Sequence, residues 1–168
     1  MKTPPNNLSE VLNEMLLTCH ASEKKYTKLF EQFSELALTE ELRACLSPAR
    51  NELDQQIERL ALILKSLKLR PHRISSATDE ALLELGKEVC GYMKQQSVHK
   101  DAQILHVAKL ITYQKIALYG SIELMARSLK MDETAVLIAQ SLEESRNAGA
   151  YFSQIEQNIL YPAVVKSD

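Results

Sequence analysis

The sequence predicts an all-α protein, a four-helix bundle with an additional connector helix in one long crossover, and three observations carry that reading. Glycine appears only at Gly86, Gly91, Gly120 and Gly149, and no alternating β-branched run bounded by turn residues is present, so strands have nothing to start from. Apolar residues recur at alternating steps of four and three along four long stretches, the spacing of one helix face. The breaks between those stretches are short, long and short in turn, which decides which helices lie side by side. With 168 residues, 45% of them hydrophobic, the chain can bury one core without metals or disulfides.

The first helix opens at Asn7, whose spacing to Glu10 is that of a capping box, and runs to about Leu38; residues 1–6 are expected to be a flexible N-terminus. Its inner face is Leu12, Leu16, Cys19, Glu23, Tyr26, Phe30, Phe33 and Ala37. Thr39 and the two glutamates after it start a second helix to about Lys68, with Leu42, Leu46, Ala49, Leu53, Gln56, Leu60, Ile63 and Leu67 inward. Because proline cannot continue the hydrogen-bond ladder, this helix should kink or restart at Ser47-Pro48. So short a turn makes the first two helices an antiparallel hairpin.

Residues 69–77, around Arg70-Pro71-His72-Arg73, read as a linker, and Thr78 or Asp79 opens the connector helix, which runs to about Gln96. Its stripe of Leu82, Leu83, Leu85, Val89 and Met93 either caps the bundle or stays exposed as a docking face. A fourth helix starts between Val98 and Asp101 and turns Ile104, Ala108, Ile111, Lys115, Leu118, Ile122 and Met125 inward. A tight turn at Met131-Asp132-Glu133 leads to a fifth helix with Ala135, Ile138, Leu142, Ser145, Gly149, Phe152, Glu156 and Ile159 inward. That helix should end before Pro162, leaving residues 162–168 as a tail. One long crossover between two helical hairpins is ferritin-like connectivity, so residues 1–168 read as a single ferritin-like domain.

Each long seam has a polar or small exception near its middle: Glu23, Gln56, Lys115 and the pair Ser145 and Gly149. Polar groups at matching depth in four facing helices outline an internal site, although singly such residues also set register or sit at bundle ends.

Twenty Lys and Arg against 22 Asp and Glu give a net charge of -2, which makes no electrostatic case for nucleic acid or an anionic membrane surface. No stretch approaches the roughly 20 apolar residues of a membrane span, and the polar start of the sequence lacks an apolar signal region, so a cytoplasmic location is expected. Cys19, Cys45 and Cys90 form no C-x-x-C pair and are expected to be free, buried thiols. Phosphate-binding loops, nucleophile triads and zinc-finger spacings are absent from the sequence.

Ala21-Ser22-Glu23-Lys24-Lys25, Gln56-Ile57-Glu58-Arg59-Leu60, Asp101-Ala102, Ile116-Ala117-Leu118-Tyr119-Gly120 and Leu142-Glu143-Glu144 occur in an order and spacing that resemble the YciE/YciF-type ferritin-like proteins over nearly the whole chain. The resemblance implies a ferritin-like fold, homodimerisation, a stress-related role without an assigned reaction, and a two-metal carboxylate site. At that site the sequence departs from the family pattern. Glu23 matches the first-helix glutamate, but His-Leu-Glu-Glu-Thr falls on Ala49-Arg50-Asn51-Glu52-Leu53 and keeps only Glu52. Glu-His-Tyr-Glu stands opposite Thr112-Tyr113-Gln114-Lys115, and Glu-Glu-x-x-x-Asp becomes Glu144-Ser145-Arg146-Asn147-Ala148-Gly149. The vestigial positions are therefore Glu23, Ala49, Glu52, Thr112, Lys115, Glu144, Ser145 and Gly149.

Two divalent ions about 3.5 to 4 Å apart need several carboxylates to offset their charge and imidazoles to complete their shells. Ferritin-like sites take a Glu-x-x-His pair from each of two helices, and this sequence has no Glu-x-x-His. The expectation is a metal-free protein without enzymatic activity, structural or interactive in role, acting as a homodimer without nucleic acid or membrane. The alternative is an oxidase or metal-handling protein with a reduced iron or manganese site at Glu23, Glu52, Glu144 and His20. His20 borders the first seam and is either a ligand or a packed side chain. Lys115 either supplies the missing cation to those acids or carries its ammonium past the seam to solvent.

Overall fold

A computed structural model describes residues 5–91 and 96–168. Residues 1–4, most of the stretch 1–6 expected to be flexible, and residues 92–95, the expected end of the connector helix with Met93, lie outside the described residues. The described chain forms α1 (Leu8–Leu36), α2 (Glu40–Leu46), α3 (Leu53–Ser66), α4 (Ala77–Gly91), α5 (Val98–Ser128), α6 (Asp132–Ile155), a π-helical turn (Glu156–Leu160) and α7 (Tyr161–Ser167). Among the described residues there is no strand. Helix α1 forms one hairpin with α2 and α3, α5 forms the other with α6, and α4 packs on α1 and α5 in the long crossover. This is the predicted four-helix bundle with a connector helix.

Asn7 caps α1: its Oδ1 accepts from the Glu10 amide at 2.9 Å, while Glu10 Oε2 reaches back to the Asn6 amide at 2.7 Å. The helix stops at Leu36, two residues earlier than expected, because α5 pins the next turn. Asp101, fully buried in the first turn of α5, accepts from the amides of Leu38 and Thr39 at 2.8 and 3.0 Å and from the Thr39 hydroxyl at 3.1 Å.

The second helix, expected from Thr39 to about Lys68, is two helices. Ser47 is extended, with ψ at 132°, as the residue before a proline is forced to be, and Glu52 adopts a left-handed φ of 54° before α3 restarts at Leu53. Asn51 is buried in the break: its Nδ2 donates to the carbonyls of Cys45 and Ser47 at 2.8 and 2.9 Å, and its own amide donates to the Ser47 carbonyl at 3.2 Å.

The stripe on α4 caps the bundle: Leu83 and Val89 are buried, and Leu82 and Leu85 are partly buried against the same core. Gly86 lets α4 lie close on α1, since a Cβ there would stand 2.4 Å from Leu29 Cδ2. Gly86→Val is therefore expected to push α4 off α1 and cost about 1 to 3 kcal/mol, measured as a lower urea midpoint at unchanged slope.

The fifth helix and its tail need a correction. Residues 162–168, expected as a tail, lie mostly in α7, with Pro162 in its first turn, where a missing N–H costs little. The π turn before it widens the backbone instead of ending the helix, and it rotates the seam so that Leu160 is buried in place of the half-buried Ile159. Glu156 holds this end down by pairing with Lys109 and accepting from the Tyr161 hydroxyl at 3.0 Å.

The core falls into two apolar clusters, one with Tyr26, Leu53, Ile111 and Phe152, the other with Cys19, Leu60, Tyr119 and Leu142. Along each long helix the residue between the clusters is the polar exception of its seam: Glu23, Gln56, Lys115 and Ser145. A polar layer thus divides the core.

Candidate functional site

The polar layer is a chain of hydrogen bonds. Glu23 is 1% exposed; its Oε1 accepts from the Tyr119 hydroxyl at 2.6 Å, and its Oε2 lies 2.9 Å from Lys115 Nζ. Lys115, 4% exposed, also donates to Gln56 Oε1 at 2.7 Å. Gln56 Nε2 donates to Glu144 Oε2 at 3.2 Å, and Arg59 clamps both oxygens of Glu144, one of them at 2.7 Å, while reaching the buried Ser141 hydroxyl at 3.1 Å. Four helices contribute, from α1 through α5 and α3 to α6. Lys115 therefore points inward, and of the three acids Glu23 is the one its ammonium meets.

Asp79 comes into the same region from α4. It is 1% exposed and accepts from the hydroxyls of Tyr26, Ser22 and Ser76 at 2.6, 2.7 and 2.7 Å. Burial and then the Glu23 charge push the Tyr119 phenol well above its ordinary range, and burial with the Asp79 hydrogen bond does the same for Tyr26, so both stay protonated as donors. Cys19 beside them is likewise pushed well up, by burial first and by Glu23, against a smaller opposing effect of Lys115. A thiol so protonated is a poor nucleophile and metal ligand. Cys45 is also free and buried, and burial raises its thiol to about 12; Cys90 is free and half-buried.

The remaining sequence-derived positions scatter. Thr112 and Ser145 line a void of about 10 Å³ with Gln56 and Lys115. Gly149 faces α5, where an added Cβ would stand 3.6 Å from Thr112 Cγ2 and from the ring of Tyr113. Ala49 and Glu52 are exposed, because both fall in the break that Pro48 opens between α2 and α3. Glu52 meets Glu144 at the rim of a surface cleft of about 200 Å³ that also holds Arg50 and Asn147. The hydrogen bond and charge of Glu144 raise the Glu52 carboxyl. Burial alone would raise Glu144, but hydrogen bonds from Arg59 and Glu52 outweigh it and hold Glu144 below the usual carboxylate range. His20 is 3% exposed and lines a different cleft beside Lys24 and His72, where burial and then those two groups lower its imidazole.

A two-metal centre does not fit these residues. Glu23, Glu52, Glu144 and His20 do not converge, and among the described residues no group of three or more His, Cys, Asp or Glu side chains is placed to hold a metal ion. The central void is at the lower limit for a single water, and an ammonium occupies the position beside Glu23. What the layer can do chemically is hold charge and fix register: Glu23 Oε1 and both oxygens of Glu144 accept hydrogen bonds, while Glu23 Oε2 makes none and is met by the Lys115 ammonium as an ion pair.

Glu144 gives this network a pH dependence. Its folded-state pKa is depressed, so its contribution is present above the ordinary carboxylate value and is lost as pH falls through the depressed one. Glu144→Gln is expected to cost about 1.5 to 3 kcal/mol at pH 7, the worth of hydrogen bonds to a charged group, and the difference from wild type should shrink below about pH 4 in parallel urea titrations.

An all-helical bundle with one long crossover defines the class of fold. The chain belongs to the family described as Domain of unknown function (DUF892), whose pattern matches residues 7–162. It is 25% identical over 140 residues to Protein YciF of Escherichia coli (strain K12), covering 83% of this chain and 84% of that protein. Two solved structures share the fold. YcfI from Rhodopseudomonas palustris, there proposed to be a structural protein, has a TM-score of 0.82 and 24% identity, over 91% of this chain and 97% of that one. The E. coli stress protein YciF has a TM-score of 0.82 and 22% identity, over 90% of this chain and 95% of that one.

The Asp79 cluster and Tyr119 were not among the expected site residues. Tyr119 lies one helical turn after Lys115, and Tyr26 three residues after Glu23, so a search for hydroxyls one turn from each seam charge finds both. No such signal marks Asp79, whose position at a helix start is already explained by capping: its amide donates to Ser76 Oγ at 3.1 Å.

Proposed function

We propose that this chain is a metal-free member of its family whose bundle centre is closed by the Lys115 ammonium, and that it serves a structural or interaction role without catalysing a reaction. The observation that carries the proposal is the buried Lys115 Nζ, 2.9 Å from Glu23 Oε2 and 2.7 Å from Gln56 Oε1. A cation is needed there because a buried carboxylate left alone is strongly disfavoured, and one ammonium with a tyrosine hydroxyl occupies both oxygens of Glu23. Metal entering that position has to displace the Lys115 ammonium from Glu23. The stress-related role follows the description of YciF as a stress protein and the structural role that proposed for YcfI. Homodimerisation belongs to the same reading and rests on the family relationship; a single monomeric species in sedimentation velocity removes it.

The test is metal content. Protein produced with iron or manganese in the medium and purified without chelator is expected to carry neither in stoichiometric amount. Near-unity metal per chain, lost on Glu23→Ala, overturns the proposal.

A further inference from the structure

A second group of candidate residues lies between α1 and the linker after α3, which form an open cleft of about 570 Å³ lined among others by His20, Lys24, Lys25 and Lys28 of α1 and by His72 and Arg73 of the linker. No acidic side chain lines it. In a chain with a net charge of -2 this gathering of cations is not the background composition. Lys25 pairs with Glu80, whereas Lys24, Lys28 and Arg73 have no ion-pair partner among the described residues. Lys24 and Lys28 are one turn apart on the helix, an arrangement of like charges that costs stability unless something offsets it.

The histidines complete the set. His72 Nδ1 accepts from the Ile74 amide at 3.2 Å, so the neutral ring carries its proton on Nε2, where it is a donor. His20 is 3% exposed, and its Nδ1 has no hydrogen-bond partner. A buried polar atom without a partner, at the wall of a cleft that Lys24, Lys25, Lys28 and Arg73 line with Ala21 and Pro71, is a donor position in the neutral tautomer that carries its proton on Nδ1. Burial first, and the positive groups Lys24 and His72 after it, lower the imidazole of His20.

We propose that this cleft binds a small soluble ligand carrying more than one phosphate group or an equivalent oxyanion, held by Lys24, Lys28 and Arg73 with His20 and His72 as further donors. The volume lies within the range of small-ligand clefts, roughly 300 to 1,000 Å³, and exceeds what one inorganic phosphate fills. Guanidinium and ammonium groups on opposite walls suit separate oxyanions of one molecule. This site is independent of the polar layer, and its failure leaves the reading of Lys115 untouched.

The experiment titrates pyrophosphate, and separately inorganic phosphate, into the full chain at low ionic strength, by calorimetry and by NMR of the histidine rings. Saturable binding of one pyrophosphate per chain is expected, tighter than inorganic phosphate, with the His20 and His72 ring signals shifting. Lys24→Ala, Lys28→Ala and Arg73→Ala should each weaken binding about tenfold, equivalent to about 1.4 kcal/mol, and Lys166→Ala on α7 should leave it unchanged. These side chains are exposed, so the variants remain folded, which circular dichroism verifies. Non-saturating binding, or equal affinity in all four variants, overturns the proposal. So does co-sedimentation with phosphatidylserine vesicles in the absence of pyrophosphate binding, which assigns the cations to a lipid surface.

Discussion

Lys115→Met is expected to lower the unfolding free energy by about 3 to 5 kcal/mol, the range for stripping one partner from a buried ion pair. Methionine keeps most of the length and packing of the stem, so the loss reports the ammonium. Without it, Glu23 Oε2 loses its ion-pair partner and Gln56 Oε1 its donor, both in a layer where neither residue is more than 1% exposed. An exposed lysine, such as Lys166, should change stability by no more than about 0.5 kcal/mol when replaced in the same way. Urea unfolding of the two variants beside wild type makes the comparison; equal losses mean the Lys115 charge is not what holds the layer.

Asp101→Ala carries the next largest effect, about 2 to 4 kcal/mol, since charge-assisted hydrogen bonds are worth roughly 1.5 to 3 kcal/mol each and do not add in full. The carboxylate serves the Leu38 and Thr39 amides and the Thr39 hydroxyl at once and ties the α1–α2 turn to the start of α5. Alanine leaves two part-buried backbone donors without this acceptor. Asp101→Asn keeps one acceptor oxygen and should fall between wild type and alanine. Hydrogen exchange at the Leu38 and Thr39 amides is the local readout: it should accelerate in the alanine variant well beyond the change expected from global stability.

The bundle was legible because its seams are long and regular. The eight inward positions expected on the first helix are all buried, including Glu23, the one that looked out of place. On α5 the same step of four and three drifted: Leu118 and Met125 are half-buried, while Tyr119 and Ala126 are fully buried. A straight helix at 3.6 residues per turn departs from a strict seven-residue repeat, and by its last turns the buried stripe had moved one residue on. That drift is why Tyr119, which donates to Glu23, was left out of the expected seam.

The site was legible in part. Glu23, Gln56 and Lys115 were each visible as a charge or amide on an apolar face, and the fold brings these three together. Ala49 and Glu52 were placed by the family pattern as if the second helix were continuous. Pro48 breaks it, Gln56 takes the inward position and Glu52 goes to the surface, a rearrangement that depends on the left-handed turn at Glu52 and not on helical periodicity. Glu144 was expected near the centre and reaches it through Gln56, with Arg59 taking most of its charge. Pairing between helices that are 85 residues apart in sequence leaves no local pattern to read.

The Lys115 ammonium stands against the buried Glu23 carboxylate, and a double-mutant cycle between the two measures what that pair contributes. Glu23→Gln keeps an acceptor for the Tyr119 hydroxyl and removes only the charge, so the cycle with Lys115→Met isolates the ion pair. A coupling energy of at least about 1.5 kcal/mol is expected, with the double variant more stable than the sum of the single losses allows. Additive losses, with a coupling indistinguishable from zero, contradict it.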